Sequence, residues 1–247
     1  MRFKEYKLTN FVIAFFIIFA VWQILATIIN KPLFPPPYAI IINIFETFHS
    51  QIAVHVGYSF IRIIVGLLFT LLIGIPVGIL MGYFKKIDVV LSPIIYFNYP
   101  IPKIALLPII MLIFGLGDLT KIVMIFLITF FPVVVNIKDE VKNIPEEVFY
   151  PMYSLGATNF QIIKEIILPG TLNSILTSLR IGIGTAISVL FFTENFGTEY
   201  GMGYFIMDAW MRINYIQMYS GILILSLIGL LFFIIIDFLE MIFCPWR

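Results

Sequence analysis

Charge, cysteine and histidine are all scarce in this chain, and each scarcity excludes something. Only 12% of the 247 residues are Asp, Glu, Lys or Arg, about half the share of an ordinary soluble domain. The net charge of +1 leaves no strongly basic face for nucleic acid. A single cysteine, Cys244, excludes an internal disulfide and a cysteine metal cluster. His49 and His55 are the only histidines; six residues apart, they do not share a helix face at ligand spacing and read as ordinary polar surface positions. The G-x-x-x-x-G-K-S/T phosphate loop is missing, as are G-x-S-x-G and H-E-x-x-H. The missing phosphate loop points to nucleotide bound by another chain, and the other two absences weaken a membrane-hydrolase reading. What fills it is apolar: 61% hydrophobic residues, 26 of them Phe, and a mean hydropathy of +1.07. With so little polar surface to show water, it reads as an integral membrane protein.

A helix needs about 20 mainly apolar residues to cross the bilayer core. Six stretches meet that length with their flanks: 11–29, 61–81, 89–114, 119–137, 175–194 and 220–239. The first is longer than a signal-peptide apolar region and lacks a small-x-small cleavage site, so it counts as a span. The expected fold is all-α, a polytopic membrane protein with one transmembrane domain over 1–247. Basic residues set its orientation. With the N-terminus in the cytoplasm, inside segments hold Arg2, Lys4, Lys7, Lys85, Lys86, Lys138, Lys142, Lys164 and Arg247, and outside segments only Lys31, Lys121 and Arg212. Both termini and the polar segment near 143–170 are thus expected inside a cell (inner) membrane. Outside, Pro35-Pro36-Pro37 makes a stiff turn. Ile40, Ile41, Ile44, Phe45 and Phe48 then suggest a short amphipathic helix on the outer interface.

The polar segment is patterned as a helical hairpin. Pro145 with Glu146 and Glu147 opens a first helix. The chain turns at Gly156, and Thr158 with Gln161 forms a capping-box pattern for a second helix. Phe160, Ile162, Ile163, Ile166 and Ile167 gather on one side of that helix, and Leu168-Pro169-Gly170 is expected to stop it. Periodicity alone leaves two readings: the helix packs under its own membrane bundle, or it inserts into a cleft on a partner.

Gly156, nine intervening residues and Ile166-x-Leu168-Pro169 resemble the second half of the cytoplasmic signature of permease subunits in binding-protein-dependent ABC importers. The likeness extends over most of the chain: Leu33-Phe34-Pro35-Pro36; Arg62 with Gly66; Pro100-Ile101-Pro102-Lys103-Ile104-Ala105-Leu106-Leu107-Pro108; Phe114-Gly115-Leu116-Gly117; Ser178-Leu179-Arg180; and Glu194 with Tyr200-Gly201-Met202-Gly203. It is strongest toward the branch that carries nitrate, sulfonates and taurine. One departure stands out. Where the family has Glu-Ala-Ala, this chain has Tyr150-Pro151-Met152. The resemblance implies a type I importer permease with a coupling hairpin formed by Gly156, Ala157, Thr158, Asn159, Phe160, Ile166, Leu168 and Pro169. It implies as partners a second permease copy, two cytoplasmic ABC ATPase subunits that bind the ATP, and an extracytoplasmic solute-binding protein.

Inside the spans, Gly74, Gly78 and Gly82 recur every fourth residue, a stripe suited to close helix packing. Arg62, Lys103, Arg180 and Glu194 must face the bundle interior, pair, or reach an interface, since charge in lipid is costly. The fifth span is small and polar. Thr177, Ser178, Gly182, Thr185 and Ser188, with Glu194 at its end, either line a translocation path or pack on another span. Pro100, Pro102 and Pro108 break the third span and favour an interior position, because freed backbone groups are tolerated only against protein or water. An ion-gradient-driven secondary transporter is the alternative reading. It usually has more spans and an internal repeat, and no repeat is visible here. A half-path on one chain is incomplete, so a homodimer is expected.

Overall fold

The computed structural model describes residues 8–245, in which no strand occurs. Arg2, Lys4, Lys7 and Arg247, four of the nine charges that set the orientation, lie outside the described residues. Eleven α-helices follow in order: α1 Leu8–Ile29, α2 Pro37–Thr47, α3 Ala53–Tyr83, α4 Lys85–Asn98, α5 Leu107–Phe114, α6 Asp118–Asn143, α7 Tyr150–Ser154, α8 Asn159–Ile162, α9 Leu168–Thr193, α10 Met202–Met211 and α11 Tyr215–Phe243. Two compact units divide them. One holds the chain up to Ile61 together with Leu190–Asp237; the other holds Arg62–Val189 together with the stretch from Phe238.

Among the described residues, Pro37–Tyr83, Asp118–Asn143, Asn159–Thr193 and Tyr215–Phe243 are long and apolar enough to cross a bilayer. The pair α4–α5 makes a fifth if its halves count as one span, and α1 contributes a shorter apolar stretch, Ile13–Ile29.

Three local expectations are overridden. The helix near Ile40–Phe48 is not separate: α2 runs through a π-turn, Phe48–Ile52, into α3, with the Ala53 N–H bonded to the Phe48 carbonyl. The third span is two helices bent by 82° at Tyr99–Pro102. Pro100 and Pro102 have no N–H to continue the ladder and disfavour helical backbone before them. Pro108 breaks nothing, because it sits in the first turn of α5, where its N–H is not needed. Both halves carry apolar side chains exposed within the chain, Tyr96 82% and Leu112 86%. At the break, the buried Lys103 takes up the freed Asn98 and Ile101 carbonyls, and Tyr99, Ile101 and Pro102 line a cavity. Finally, Leu168-Pro169-Gly170 does not stop the second hairpin helix. α8 passes through a π-turn, Ile163–Ile167, directly into α9, making one helical stretch Asn159–Thr193. The Leu168 N–H reaches back five residues to the Ile163 carbonyl. That wider turn brings Pro169 in where the ladder changes register, so its missing donor and ring are accommodated.

The second unit is organised on a seam between α3 and α6. A Cβ on Gly66 would lie 2.7 Å from Ile125 Cβ, on Gly78 2.8 Å from Ile137 Cβ, and on Gly82 2.5 Å from Val141 Cβ, while one on Gly74 would meet Val133 at 3.3 Å. Between Gly66 and Gly74, Thr70 and Thr129 share a 2.6 Å hydrogen bond. The sequence offset is constant along the seam, so α3 and α6 run parallel, and the α4–α5 segment carries the chain back between them. Absent side chains let the backbones approach, and close packing replaces the hydrophobic drive that lipid cannot supply.

Candidate functional site: the hairpin and the helix it continues into

Residues 144–158 form the first arm and the turn. Pro145 begins a single 3₁₀ turn, Glu146–Val148, and the five-residue α7 follows. Pro151, at the departure from the family signature, falls in the first turn of α7 and costs no ladder bond. α7 ends in a Schellman motif. Ala157 N–H donates to the Met152 carbonyl and Gly156 N–H to that of Tyr153, both at 3.0 Å. Gly156 takes φ +70° with open space where a Cβ would stand, so its requirement is backbone conformation and not room. The expected capping box is present. Thr158 N–H donates to Gln161 Oε1 at 2.8 Å, and Gln161 N–H donates to Thr158 Oγ1 at 3.4 Å.

The two faces of the hairpin differ. Phe149, Ile162 and Ile167 are buried with Ile79, Val133, Ile137, Val141 and Ile175 in one core shared by α3, α6 and α9. Ile163, Ile166 and Ala157 pack against it half-buried. Tyr83, at the end of α3, stacks on Phe149 and donates to Asn159 Oδ1 at 3.1 Å. The other face is bare: Leu155 is 83% and Phe160 73% exposed, beside exposed Val148, Tyr150 and Tyr153. Thr158, Asn159 and Leu168 are exposed as well, and Pro169 is half-buried. Phe160 thus separates from Ile162 and Ile167, with which periodicity had grouped it. α8 is only one turn long, and the register shift in the π-turn turns the later isoleucines inward.

Past the π-turn, α9 presents a second bare stripe. Thr177, Ile181, Gly184, Thr185 and Ser188 are exposed at helical spacing. Ser178 and Gly182 are buried toward α6: Ser178 Oγ accepts from Asn136 Nδ2 at 3.2 Å, and a Gly182 Cβ would meet Thr129 at 3.5 Å. Beside the stripe lies a cavity of about 320 Å³ lined by Lys103, Thr129, Phe131, Ser178, Gly182 and Thr185, among others.

Glu194 lies elsewhere, in the first unit, and is wholly buried. Its carboxylate accepts from Ser59 Oγ at 2.8 and 2.9 Å and from Gly203 N–H at 2.8 Å, at the N-terminus of α10. Ser59 Oγ in turn accepts from Met202 N–H at 2.8 Å. A Cβ on Gly201 would stand 2.3 Å from Glu194 Cδ and one on Gly203 2.5 Å from the Phe191 carbonyl, which explains both glycines of Tyr200-Gly201-Met202-Gly203. His55 is no plain surface residue: its Nδ1 accepts from Gly201 N–H at 3.1 Å and its ring stacks on Tyr204. Sequence reasoning missed it because its partners lie 146 residues away.

Arg62, Arg180 and Lys103 each have polar partners. Arg62 Nε donates to Asp118 at 2.9 Å, Arg180 pairs with Glu240 at 3.3 Å, and Lys103 Nζ donates to the carbonyls of Asn98 and of Ile101 (3.2 Å) that the proline break leaves over.

Parallel apolar helices, a hairpin with one buried and one bare face, and its continuation into a long apolar helix make a helical membrane protein. Comparison with known proteins agrees. Residues 74–245 match the family described as binding-protein-dependent transport system inner membrane component, and the chain belongs to that family. It is similar to the formylaminopyrimidine transport permease protein ThiX of Halalkalibacterium halodurans, 31% identical over 99% of this chain and 98% of the relative. The taurine transport system permease protein TauC of Escherichia coli is 32% identical over 94% and 87%, respectively. The putative aliphatic sulfonates transport permease protein SsuC of Bacillus subtilis is 30% identical over 94% and 85%. Among solved structures, an inward-facing MetNI methionine ABC transporter shares the fold at a TM-score of 0.68 and 21% identity, over 76% of this chain and 94% of that one.

Proposed function

We propose that this multi-pass permease works as one transmembrane domain with six crossings, both termini cytoplasmic, in a cell-membrane importer. Two copies enclose the path. Two separate ATPase subunits, which bind the ATP, each receive the bare face of one hairpin, and an extracytoplasmic binding protein delivers a small solute. Relatives named for taurine, sulfonates, nitrate and formylaminopyrimidine bound the solute class. The observation that carries the reading is the division of the hairpin into a core-packed face and an apolar face with nothing on it. Leu155 and Phe160 are exposed there, as are Val148, Tyr150 and Tyr153, and large apolar and aromatic side chains of this kind anchor interfaces.

Coupling follows from continuity. Phe160 sits on the same helical stretch, Asn159–Thr193, as Thr177, Thr185 and Ser188. ATP-driven movement of a docked ATPase would therefore be transmitted to the stripe without an intervening flexible loop. The π-turn at Ile163–Ile167 is the one irregular point on that lever. The test is co-purification with the ATPase and crosslinking in lipid nanodiscs. Retention of an ATPase and a permease–permease crosslink are expected. A stable monomer that retains no ATPase would refute the assignment.

A further inference from the structure

Lys103 differs in one respect from four other cations of the second unit, of which Arg62 is buried, Arg180 and Lys138 are half-buried and Lys142 is exposed. Arg62 has Asp118, Arg180 has Glu240, and Lys138 and Lys142 share Asp88. Among the described residues, no carboxylate lies within ion-pair distance of Lys103. Its ammonium is buried beside the helix break, 4.3 Å from the centre of the Phe131 ring. Two of its three N–H groups are used on the carbonyls of Asn98 and Ile101. Those dipoles and the ring temper the charge but do not cancel it. One donor and a full positive charge remain, and the side chain lines the cavity of about 320 Å³. That volume is at the small end of ligand cavities. Ser178 and Thr185 of α9 and Thr129 of α6 also line it, among mostly apolar side chains such as Ile128, Phe131 and Ile181, and each hydroxyl already donates to a backbone carbonyl of its own helix. An ionisable side chain at membrane depth with no fixed counter-charge favours an anionic occupant.

We propose that Lys103 is a specificity-determining residue. The cavity takes a small solute by an anionic oxygen group, sulfonate, carboxylate or nitrate, which accepts from the Lys103 ammonium while the rest of the solute lies against the Ser178–Thr185 face. This rests on the reading that the α9 stripe lines the path. It assigns the permease a selectivity of its own beyond that of a delivering protein.

The experiment uses the full assembly, permease with its ATPase and binding protein, in proteoliposomes. Uptake of radiolabelled taurine, nitrate and formylaminopyrimidine is measured for wild type, Lys103→Arg, Lys103→Gln and Lys103→Met. Wild type is expected to carry an anionic or zwitterionic probe. Lys103→Met and Lys103→Gln are expected to raise the half-saturating concentration of that probe roughly ten- to hundredfold, the span of a lost charge-assisted hydrogen bond. Lys103→Arg largely restores uptake. Lys103→Gln keeps a donor for the carbonyls without the charge. If it matches wild type, the lysine is only a backbone cap and the proposal is overturned. Wild type that carries only the uncharged pyrimidine overturns the proposal and leaves the importer reading intact. An assembly that carries no probe and retains no ATPase overturns both.

Discussion

Gly78→Ala adds one methyl group where the α3–α6 seam has no room for it. The new Cβ would lie 2.8 Å from Ile137 Cβ, 2.9 Å from Ile137 Cγ2 and 3.0 Å from the Val134 carbonyl oxygen. Carbon atoms rest about 3.5–4.0 Å apart, so the helices must separate by several tenths of an ångström or Ile137 must leave its rotamer. None of the three atoms is the free end of a flexible side chain. Overpacking of this kind costs roughly 1–3 kcal/mol, and the better helix propensity of alanine returns about 1 kcal/mol. Gly57, on the same helix, has nothing within 4 Å of its ideal Cβ, so Gly57→Ala keeps only the gain. Thermal unfolding in detergent is expected to separate the two. Gly78→Ala, at a net cost of about 0–2 kcal/mol, lowers the midpoint by up to roughly 8 °C, taking roughly 2–4 °C per kcal/mol for a chain of this size, while Gly57→Ala raises it. Gly78→Ala combined with Ile137→Ala is expected to be only a little less destabilised than the sum of the singles, since alanine removes Ile137 Cγ2 but keeps the Cβ that stands nearest at 2.8 Å. Equal midpoints for Gly78→Ala and Gly57→Ala would refute the seam.

Gly156→Val places a β-branched residue at φ +70°, a backbone region that costs L-residues about 1–2 kcal/mol or more. Membrane insertion is expected to be normal and ATPase retention and uptake reduced; wild-type uptake would contradict the role of the turn. Glu194→Gln removes the charge from the N-terminus of α10 and is expected to cost about 1–2 kcal/mol. It should also raise amide exchange over residues 195–203, and unchanged exchange there would contradict the tether.

The long apolar helices were legible because runs such as 61–81 and 220–239, which fall within α3 and α11, have no other use in a chain of this composition. Thr158 and Gln161, and the φ of Gly156, were legible because caps and left-handed turns are local physics. Leu168-Pro169-Gly170 misled for the same reason. Local rules read a stop, and the π-turn that absorbs Pro169 depends on Ile162 and Ile167 being held in a core drawn from distant helices. Which side of α9 is bare was also unreadable, since Ser178 and Gly182 alternate with Thr177 and Thr185 in sequence, and Asn136 and Thr129 on α6 decide between them. Which of the three options Lys103 takes was unreadable, because its carbonyl partners come from the break that the prolines create.

The central claim is that one hairpin has an outer face for a partner and an inner face for its own core, and a pair of alanine variants tests it most directly. Phe160→Ala removes an exposed ring and Ile167→Ala a fully buried side chain. Each purified permease is measured for thermal stability in detergent and for ATPase retained on a column. Phe160→Ala is expected to keep its midpoint and lose ATPase affinity by about 2 kcal/mol, roughly thirtyfold. Ile167→Ala is expected to lose about 2–5 kcal/mol of stability. Full ATPase retention by Phe160→Ala would contradict the account.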